Sequence, residues 1–384
     1  MKVAVITPIP TPYRDAFWNH FCQQPDLSLH VIYCAKGKAD RPWKSDWTKH
    51  YTYCFPKGFN LLSWKSKDSS LFFNPGTLTH LNQSKPDVIL VNGYNHLTMW
   101  MTMIWAFIRK TPFLLMSETR GLRPGRKKDP LLKALLLKWL AKHSSGALPT
   151  GQQAESYLLD HGWNKASLFR FPNVPDIVFL ISKVNELKHQ TMELRSKWNI
   201  KEEKLILCVG RLIRKKHVNT IIQAFSEMEV PFPVKLIVAG DGDQQQSLKE
   251  QCQRLGITDR VRFVGFLEPE EILEWLALSD LFALASNETW GVAPIEAAAA
   301  GAPLLLSCEI GSANELADIY PQTKVIASRD AKTWSQAIKD CLINHVKKHP
   351  KTADNGRMCH WHFDSLSQGL YRHLKPLIEV SSSC

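Results

Sequence analysis

Paired cysteines are missing from this chain of 384 residues. Its nine cysteines are scattered, their number is odd, and none of them forms a C-x-x-C pair. This usage argues against a disulfide framework and favours reduced thiols in a cytoplasm. The run CHWH, Cys359 to His362, has no second ligand pair at zinc spacing. The sequence therefore predicts no metal site.

Long apolar segments are also missing. The start, MKVAVITPIPTPYRD, has an apolar run of about five residues that ends at Pro8, which is too short for a secretory signal peptide. No charged residue occurs from Val88 to Ile108, but polar residues at 92–96 interrupt this stretch. We therefore predict a buried strand, a polar turn and a helix from about Leu97 rather than a membrane span.

Acidic residues are scarce in the first half of the chain. Residues 1–180 contain 23 Lys and Arg against 11 Asp and Glu, and this half accounts for the formal net charge of +12. Such an excess attracts phosphate, nucleic acid or an anionic membrane. The sequence has no recognisable nucleic-acid recognition motif, and basic charge alone is poor evidence, so we expect no nucleic-acid partner.

The densest basic stretch is RGLRPGRKKDPLLKALLLKWLAKH, from Arg120 to His143. It predicts a basic loop followed by an apolar helix that carries Lys133, Lys138 and Lys142. These lysines do not share one face sharply, so two interpretations remain open. The helix lies in the plane of a membrane, or it is half-buried in its own domain with solvated lysines.

The sequence does contain a regular alternation of short apolar strands with helices. Between residues 205 and 327 the strand candidates are LILCVG, VKLIVAG, VRFVGF, LFALAS, PLLLS and KVIAS. This rhythm predicts a parallel sheet covered by helices on both faces, and six strands complete a Rossmann-like domain. The first half repeats the rhythm less cleanly, in KVAVIT, LSLHVIYC, VILVNG, PFLLMSE and SGALPT.

The predicted fold is therefore α/β, with two Rossmann-like domains. The segment PNVPD ends the first domain, residues 1–176, and the second spans 177–364. The last 20 residues, 365–384, predict a terminal helix. Two such domains joined face to face leave a deep cleft at the carboxyl ends of both sets of strands, where ligands bind.

Two glutamates, Glu288 and Glu296, stand in the stretch SNETWGVAPIEAAAAGAP with seven residues between them. The stretch predicts a loop at the carboxyl end of a strand, followed by a helix that starts with Pro294 and ends at Gly301. The two carboxylates lie at different heights and need not touch, which argues against a dinuclear metal site. A carboxylate fixed at a helix N-terminus can accept hydrogen bonds from pairs of sugar hydroxyls.

The backbone N–H groups of Trp290, Gly291 and Val292 are placed to meet a phosphate or a negatively polarised oxygen. This arrangement of carboxylates and N–H groups fits a ligand with hydroxyls at both ends and phosphate in the middle, which describes a nucleotide sugar. The alternative is that Glu288 is solvated and Glu296 is an ordinary first-turn charge.

A cluster of cations follows the strand LILCVG directly, in GRLIRKKHV. Arg211 and Lys216 lie between a strand end and a helix, where Arg214 and Lys215 add further charge. Cations at this place can neutralise the charge that develops on a diphosphate leaving group. The alternative is a solvated run of charge.

In this order and spacing, GRLIRKKHV, AGDGDQQQSLKEQC, VRFVGFL and NETWGVAPIEAAAAGAPLLLS resemble the retaining nucleotide-sugar glycosyltransferases of family 4, which have the GT-B fold. The start, ITPIPTPYRDAFW, is similar to that of a bacterial branch of the family. The resemblance implies that Arg211 and Lys216 bind the donor diphosphate. It also implies that Glu296 accepts from the ribose hydroxyls and that Glu288 orients the donor sugar.

The same resemblance implies further contacts in both domains. Backbone at Phe266 and Leu267 would hold the base, and Gly240 would belong to the donor site. The loop that ends at Pro12 and Tyr13 would close over the phosphates and the acceptor, and the last helix would cross back to the N-terminal domain. No cofactor or metal is expected, because the cations neutralise the phosphates of a donor linked to UDP or GDP.

The sequence departs from the family at three places. His217 stands where the family usually has glycine after the lysine, and Glu118 stands where many relatives place a histidine near the reacting sugar. A glutamate at 118 can still hydrogen-bond to a sugar hydroxyl, so it stays among the acceptor-site residues. Prolines occupy a first loop that is more often rich in glycine.

The sequence thus predicts a retaining glycosyltransferase that moves a sugar from a nucleotide diphosphate to an acceptor. A lipid-linked or polysaccharide precursor in cell-surface glycan biosynthesis suits the basic first half, as does a peripheral position at the inner face of the membrane. A nucleotide-sugar epimerase, a sugar-phosphate synthase or an inactive scaffold stays open. A scaffold, however, has no reason to retain all four charged residues of the donor site.

Overall fold

The computed structural model describes residues 1–37, 48–62, 70–121, 129–345 and 358–381. Most of the basic loop predicted after Arg120 falls at 122–128, outside the described residues. The chain divides into two compact units, Met1–Asp176 with Trp361–Cys384, and Ile177–His360.

The first unit is built on strands and helices that alternate along the chain. Its strands are β1 (Lys2–Thr7), β2 (Ser28–Tyr33), β3 (Thr52–Cys54), β4 (Phe59–Asn60), β5 (Phe72–Phe73), β6 (Val88–Asn92), β7 (Phe113–Ser117) and β8 (Gly146–Pro149). Its first helices are α1 (Pro12–Phe21), α2 (Gly76–Ser84), α3 (Leu97–Arg109), α4 (Leu131–His143) and α5 (Gln152–Asp160).

The strands of the first unit form a parallel sheet in the order β3-β2-β1-β6-β7-β8, and β4 and β5 form a separate antiparallel pair. The central strands read as continuous apolar runs because both of their faces are covered. Val5, Val31, Leu90 and Leu114 are fully buried. All five predicted strands are present, whereas the short strands β3, β4 and β5 and the helix α2 were not predicted.

The second unit repeats the pattern. Its strands are β9 (Lys204–Val209), β10 (Val234–Ala239), β11 (Val261–Gly265), β12 (Leu281–Leu284), β13 (Leu304–Ser307) and β14 (Thr323–Ile326). Its helices are α6 (Ile177–His189), α7 (Thr191–Lys197), α8 (Val218–Ser226), α9 (Gln245–Arg254), α10 (Pro269–Leu278), α11 (Ala293–Ala299), α12 (Ala313–Ile319) and α13 (Ala331–His345).

The sheet of the second unit is parallel, with the order β11-β10-β9-β12-β13-β14. The strand order reverses between β9 and β12, and the carboxyl ends of strands at such a switch point are where open α/β sheets bind ligands. The predicted helix after β12 is α11, which begins at Ala293 rather than at Pro294. Gly301 follows it with φ +78°, the left-handed conformation that glycine adopts most easily.

The terminal helix α14 (Phe363–Ser381) belongs to the first unit. It begins two residues before the predicted start and packs on α1. The rings of Phe17 and Phe363 meet edge to face with centroids 5.5 Å apart, and Gln24 donates a hydrogen bond to Ser367 Oγ at 2.8 Å.

The uncharged stretch from Val88 to Ile108 is not one continuous element. It contains β6, a turn and most of α3, as predicted. Among the described residues, no helix has the length and apolarity that a membrane span requires.

Candidate active site

The predicted donor-site residues of the second unit lie in loops at the carboxyl edge of its sheet. Backbone hydrogen bonds tie these loops together. Gly210 N–H donates to Ala239 O at 2.9 Å, Leu212 N–H to Asp241 O at 2.8 Å, and Gly240 N–H to Gly265 O at 2.7 Å. The loops after β9, β10 and β11 therefore form one connected backbone surface.

Gly240 is required by this close approach of the backbones. Its φ is +134°, and a Cβ atom at this position would run into the carbonyl oxygen of Gly210. A side chain would push the loops after β9 and β10 apart. The structure thus gives Gly240 a definite role in shaping this edge.

Lys216 and Glu288 form an ion pair at the edge, between the loops after β9 and β12. Lys216 Nζ lies 2.5 Å from Glu288 Oε1, and Ser286 donates a hydrogen bond to the same oxygen at 2.6 Å. The backbone of Glu288 is held as well, because its N–H donates to Glu309 O and its carbonyl accepts from Gly311 N–H, both at 3.1 Å. The carboxylate is therefore fixed in position.

The charge on Glu288 is stabilised by its partners. Burial is the largest single influence and would raise the pKa of this carboxyl, but the Lys216 ammonium, the Ser286 hydrogen bond and the charge of Lys215 together outweigh it. The net result is a lowered pKa. Glu288 is thus an ionised acceptor of hydrogen bonds at neutral pH.

Lys216 is positioned by an unusual turn. A Cβ atom at Gly210, where φ is +153°, would lie 3.3 Å from Lys216 Nζ, so the ammonium sits close over that glycine. Lys216 ends a 3-10 turn, and His217 follows it with φ +49° and ψ +36°. Glycine, which the family resemblance led us to expect here, adopts this left-handed conformation most easily, and His217 adopts it at some cost in strain.

Glu296 differs from Glu288 in its partners and in the direction of its pKa shift. It lies in the first turn of α11 and its side chain is half-buried. No described residue forms a hydrogen bond or ion pair with its carboxyl group, and burial raises its pKa to about 7. A desolvated acid of this kind, without a protein partner, is typical of a group whose partner is a ligand.

The segment between the two glutamates is fixed by a serine that the sequence did not reveal. Ser312, fully buried, donates from its N–H and its Oγ to Trp290 O, both at 3.0 Å, and its Oγ also lies 3.2 Å from Gly291 O. Trp290 is itself only 3% exposed, so its ring belongs to the core. Val292 accepts the first hydrogen bonds of α11 through its carbonyl.

The two residues predicted to hold the base have opposite environments. Phe266 is 47% exposed just beyond the carboxyl end of β11, whereas Leu267 is buried. Arg211 lies half-exposed directly after Gly210. The structure therefore brings Arg211, Lys216, Gly240, Phe266 and Glu288 to one edge of the sheet.

The predicted residues of the first unit lie at the carboxyl edge of the other sheet. Pro12 and Tyr13 begin α1, and Glu118 follows β7 directly. Asn173 donates a hydrogen bond to Glu118 Oε1 at 2.7 Å. This partner could not be seen in the sequence, because 55 residues separate the two positions.

Arg14 is a buried cation beside these residues. Its guanidinium lies 3.9 Å from the centre of the Phe171 ring and donates to Phe171 O at 3.0 Å. Burial lowers the pKa of Arg14 to about 10, while the nearby Tyr13 and Glu118 act in the opposite direction. The carboxyl edge of the first unit's sheet thus combines the positive charge of Arg14 with the positioned carboxyl group of Glu118.

Comparison with known proteins identifies the second unit. Residues 190–358 match the family model of the glycosyl transferases group 1. The α-monoglucosyldiacylglycerol synthase of Streptococcus pneumoniae is 38% identical over 124 residues, which cover 31% of this chain and 28% of that protein. The matches to the first three known relatives span only 28%, 40% and 31% of their lengths.

Solved structures align over nearly the whole chain. The Anabaena protein HepE, in complex with UDP and glucose, has a TM-score of 0.69 at 17% identity and covers 98% of this chain and 99% of its own. The UDP-GlcNAc 2-epimerase of Neisseria meningitidis, bound to UDP-GlcNAc, has a TM-score of 0.62 at 14% identity, with 98% and 100% covered. The resemblance to the group 1 glycosyl transferases is confirmed over residues 190–358, and the solved structures confirm the GT-B fold with two Rossmann-like domains.

Proposed function

We propose that this chain, a group 1 glycosyltransferase in its residues 190–358, moves a sugar from a nucleoside diphosphate to an acceptor hydroxyl with retention of the anomeric configuration. One observation carries the proposal. At the carboxyl edge of the second sheet, a fixed Lys216–Glu288 ion pair occurs together with Glu296, an acid on the helix that follows β12 and one that has no side-chain partner among the described residues.

The donor would be bound by charge and by hydrogen bonds to hydroxyls. Glu296 would accept from the ribose hydroxyls, which would supply the partner that its carboxyl group otherwise lacks. Lys216 has three N–H donors, and Glu288 is the one described residue that pairs with them, so the ammonium can also donate to a phosphate. Arg211 would bind the same diphosphate, and Glu288 would orient the donor sugar through its hydroxyls.

The reaction would proceed without a protein nucleophile. The bond between the anomeric carbon and the diphosphate oxygen breaks, and its electron pair passes to the phosphate, where Lys216 and Arg211 neutralise it. The acceptor hydroxyl forms the new bond on the same face of the sugar, and its proton passes to the departing phosphate. These cations make a metal or a further cofactor unnecessary in the proposal, and a UDP- or GDP-linked donor would suit the site.

The acceptor would be bound by the first unit. Glu118, held by Asn173, would accept from an acceptor hydroxyl, and Tyr13 would contribute to the same site. A lipid-linked acceptor for glycolipid or cell-surface glycan synthesis is favoured by the relative named for diacylglycerol, and by the basic charge of this half of the chain.

The surface of the first unit supports a peripheral position at the cytoplasmic face of a membrane. Helices α3 and α4 contact each other, since the rings of Phe107 and Trp139 meet edge to face at 5.9 Å. Only Leu137 and Leu140 of α4 are buried among its described residues. Exposed apolar side chains cover the two helices, and we call them the α3–α4 face: Ile104, Phe107, Ile108, Leu131, Leu132, Leu135 and Leu136.

Cations surround the α3–α4 face and complement an anionic lipid surface. Arg109, Lys110, Lys138 and Lys142 are all exposed on the same two helices. Apolar side chains rimmed by lysines are typical of helices that lie in the plane of a membrane interface. The proposal therefore combines the two interpretations of α4. The helix packs on its own domain by one side, and it presents leucines to a membrane on the other.

We expect the protein to bind vesicles that contain phosphatidylglycerol and to be released by salt, because the basic rim contributes part of the binding. The double change Leu132→Asp and Leu135→Asp should lower this binding at least about tenfold, since it places charges where the apolar side chains would enter the interface. Co-sedimentation with vesicles at several salt concentrations measures the effect.

Met192→Asp is the matched control, because Met192 is 86% exposed on α7 of the second unit. It should leave vesicle binding unchanged. Equal binding to neutral and anionic vesicles, or equal binding by the double variant, would contradict the membrane proposal.

Sugar transfer is tested by incubating the protein with UDP- and GDP-sugars, with and without a bacterial lipid extract. A transferase releases nucleoside diphosphate when an acceptor is present and yields a sugar linkage of unchanged anomeric configuration. The fold likeness to an epimerase favours one other candidate, which would convert the sugar of its donor with no acceptor added. Conversion without acceptor, or an inverted linkage, would refute the proposal.

A further inference from the structure

Three metal-ligating side chains meet at the edge of the first sheet, on β2, β3 and α2. They are His30, Cys54 and His80, each half-buried, and their ligand atoms all lie within 4.8 Å of one another. We infer that these three residues form a binding site for a transition-metal ion of the zinc class. Nothing in the proposed glycosyl transfer uses them.

The register of the sheet places the first two side chains together. Strands β2 and β3 are parallel, with His30 opposite Thr52 and Ile32 opposite Cys54. Because side chains alternate along a strand, Thr52 and Cys54 project from the same face as His30. Helix α2 supplies His80, whose ring centre lies 6.2 Å from that of His30.

Hydrogen bonds fix the tautomer of His30. The Thr52 hydroxyl donates its one hydrogen to Leu29 O at 2.8 Å, so its oxygen can only accept from His30 Nδ1, which lies 3.0 Å away. Nδ1 therefore carries the ring proton, and the lone pair lies on Nε2. A metal-binding histidine almost always has its other nitrogen engaged in this way.

The lone pair of His30 faces the sulfur of Cys54. Nε2 and Sγ are 3.5 Å apart. Tetrahedral zinc has Zn–S and Zn–N bonds of about 2.3 and 2.0 Å, which puts neighbouring sulfur and nitrogen ligands about 3.5 Å apart. Two of the three ligands thus already have the spacing of a zinc site, and a rotation of the His80 side chain would bring the third into place.

The donor set selects the class of ion. Two imidazole nitrogens and one thiolate suit zinc and its chemical neighbours, whereas calcium and magnesium require oxygen ligands. When the ion binds, the Cys54 thiol loses its proton to solvent and water takes the fourth position. The bound ion would tie the three-residue edge strand β3 to β2 and to α2.

Cobalt is the probe, because Co²⁺ bound by a thiolate absorbs by charge transfer whereas Zn²⁺ is spectroscopically silent. Protein dialysed against chelator should bind one Co²⁺ with a thiolate-to-cobalt band and the visible bands of tetrahedral cobalt, and Zn²⁺ should displace it. Cys54→Ser should abolish the charge-transfer band, and His80→Ala should weaken binding at least about tenfold.

Cys22→Ser is the matched control, because Cys22 is another half-buried thiol of the first unit and donates to Asn19 O at 3.2 Å. It should keep the full spectrum. Saturating Zn²⁺ should also raise the unfolding midpoint of the wild type by about 5 °C but not that of Cys54→Ser. A charge-transfer band that survives in Cys54→Ser, or no thiolate band in the wild type, would overturn the site.

Discussion

Replacing Lys216 with alanine should lower the rate of sugar transfer by about 10²–10³-fold. The structure holds the ammonium at the carboxyl edge of the second sheet, 2.5 Å from Glu288. Its removal would leave the charge on the departing diphosphate to Arg211 alone. The change also deprives Glu288 of its charge partner, so a stability loss has to be separated from the loss of catalysis.

Two further variants separate the loss of stability from the loss of catalysis. Lys204→Ala breaks another lysine–carboxylate pair of the same unit, Lys204 with Asp280 at 2.8 Å, but at the opposite end of β9. It should leave the rate of transfer unchanged. Adding Glu288→Gln to Lys216→Ala should recover stability, because no unpaired charge remains, without recovering transfer. Equal rates for Lys216→Ala and the wild type, measured as nucleoside diphosphate released, would contradict the role of Lys216.

Glu296→Gln should make the protein more stable at pH 8 than the wild type. Burial raises the pKa of Glu296 to about 7, well above the usual range of an unfolded glutamate. The folded state therefore holds this proton more tightly. The free energy of unfolding that this tighter proton binding contributes is fully present below about pH 4.5 and is lost as the pH rises through 7.

The glutamine variant lacks this titration and should gain about 1–3 kcal/mol over the wild type at pH 8, with the difference vanishing near pH 4.5. Urea unfolding at a series of pH values measures it. Glu270→Gln, at an exposed first-turn position of α10, controls for the loss of one negative charge. A variant that is less stable than the wild type at pH 8 would show that Glu296 has a stabilising partner instead.

The sequence predicted the parts of the fold whose signal is continuous. Strands such as β6 and β12 are buried on both faces and therefore read as uninterrupted apolar runs. Strand β3 has three residues, two of them exposed, and such a segment shows neither an apolar run nor an alternation. The helices α6 and α7, which lie between β8 and β9, were not predicted. Helix α7 buries only Leu194, so it shows no apolar stripe of helical period.

The site was predictable where its residues follow closely after predicted strand ends. Lys216 lies seven positions after β9 and Glu288 four after β12, so strand ends located both of them at one edge. Their supporting contacts were not visible, because Ser312 and Asn173 reach their partners from 22 and 55 residues away. The cluster of His30, Cys54 and His80 has no ligand-motif spacing either, because its three members lie on separate elements, β2, β3 and α2.

The roles of the donor-site residues remain predictions from the resemblance. The surroundings of Glu288 and Glu296 make the roles of these two residues specific. Glu288 is paired and ionised, so it is suited to orienting hydroxyls from a fixed position. Glu296 has no partner within the described part of the chain and is costly to ionise, so it is suited to a ligand that supplies its partners. A buried acid that destabilises the free protein when it is ionised, in the first turn of a helix beside the strand ends, is typical of a binding site.

The most direct test is calorimetric titration of the wild type and of Glu296→Gln with UDP and with GDP at pH 8. We expect one of the two nucleotides to bind the wild type with a stoichiometry of one. The more stable glutamine variant should bind it at least about tenfold more weakly, because a charged acceptor of two hydroxyl hydrogen bonds is lost. Equal affinity in the variant, or no binding of either nucleotide to the wild type, would contradict a donor site at Glu296.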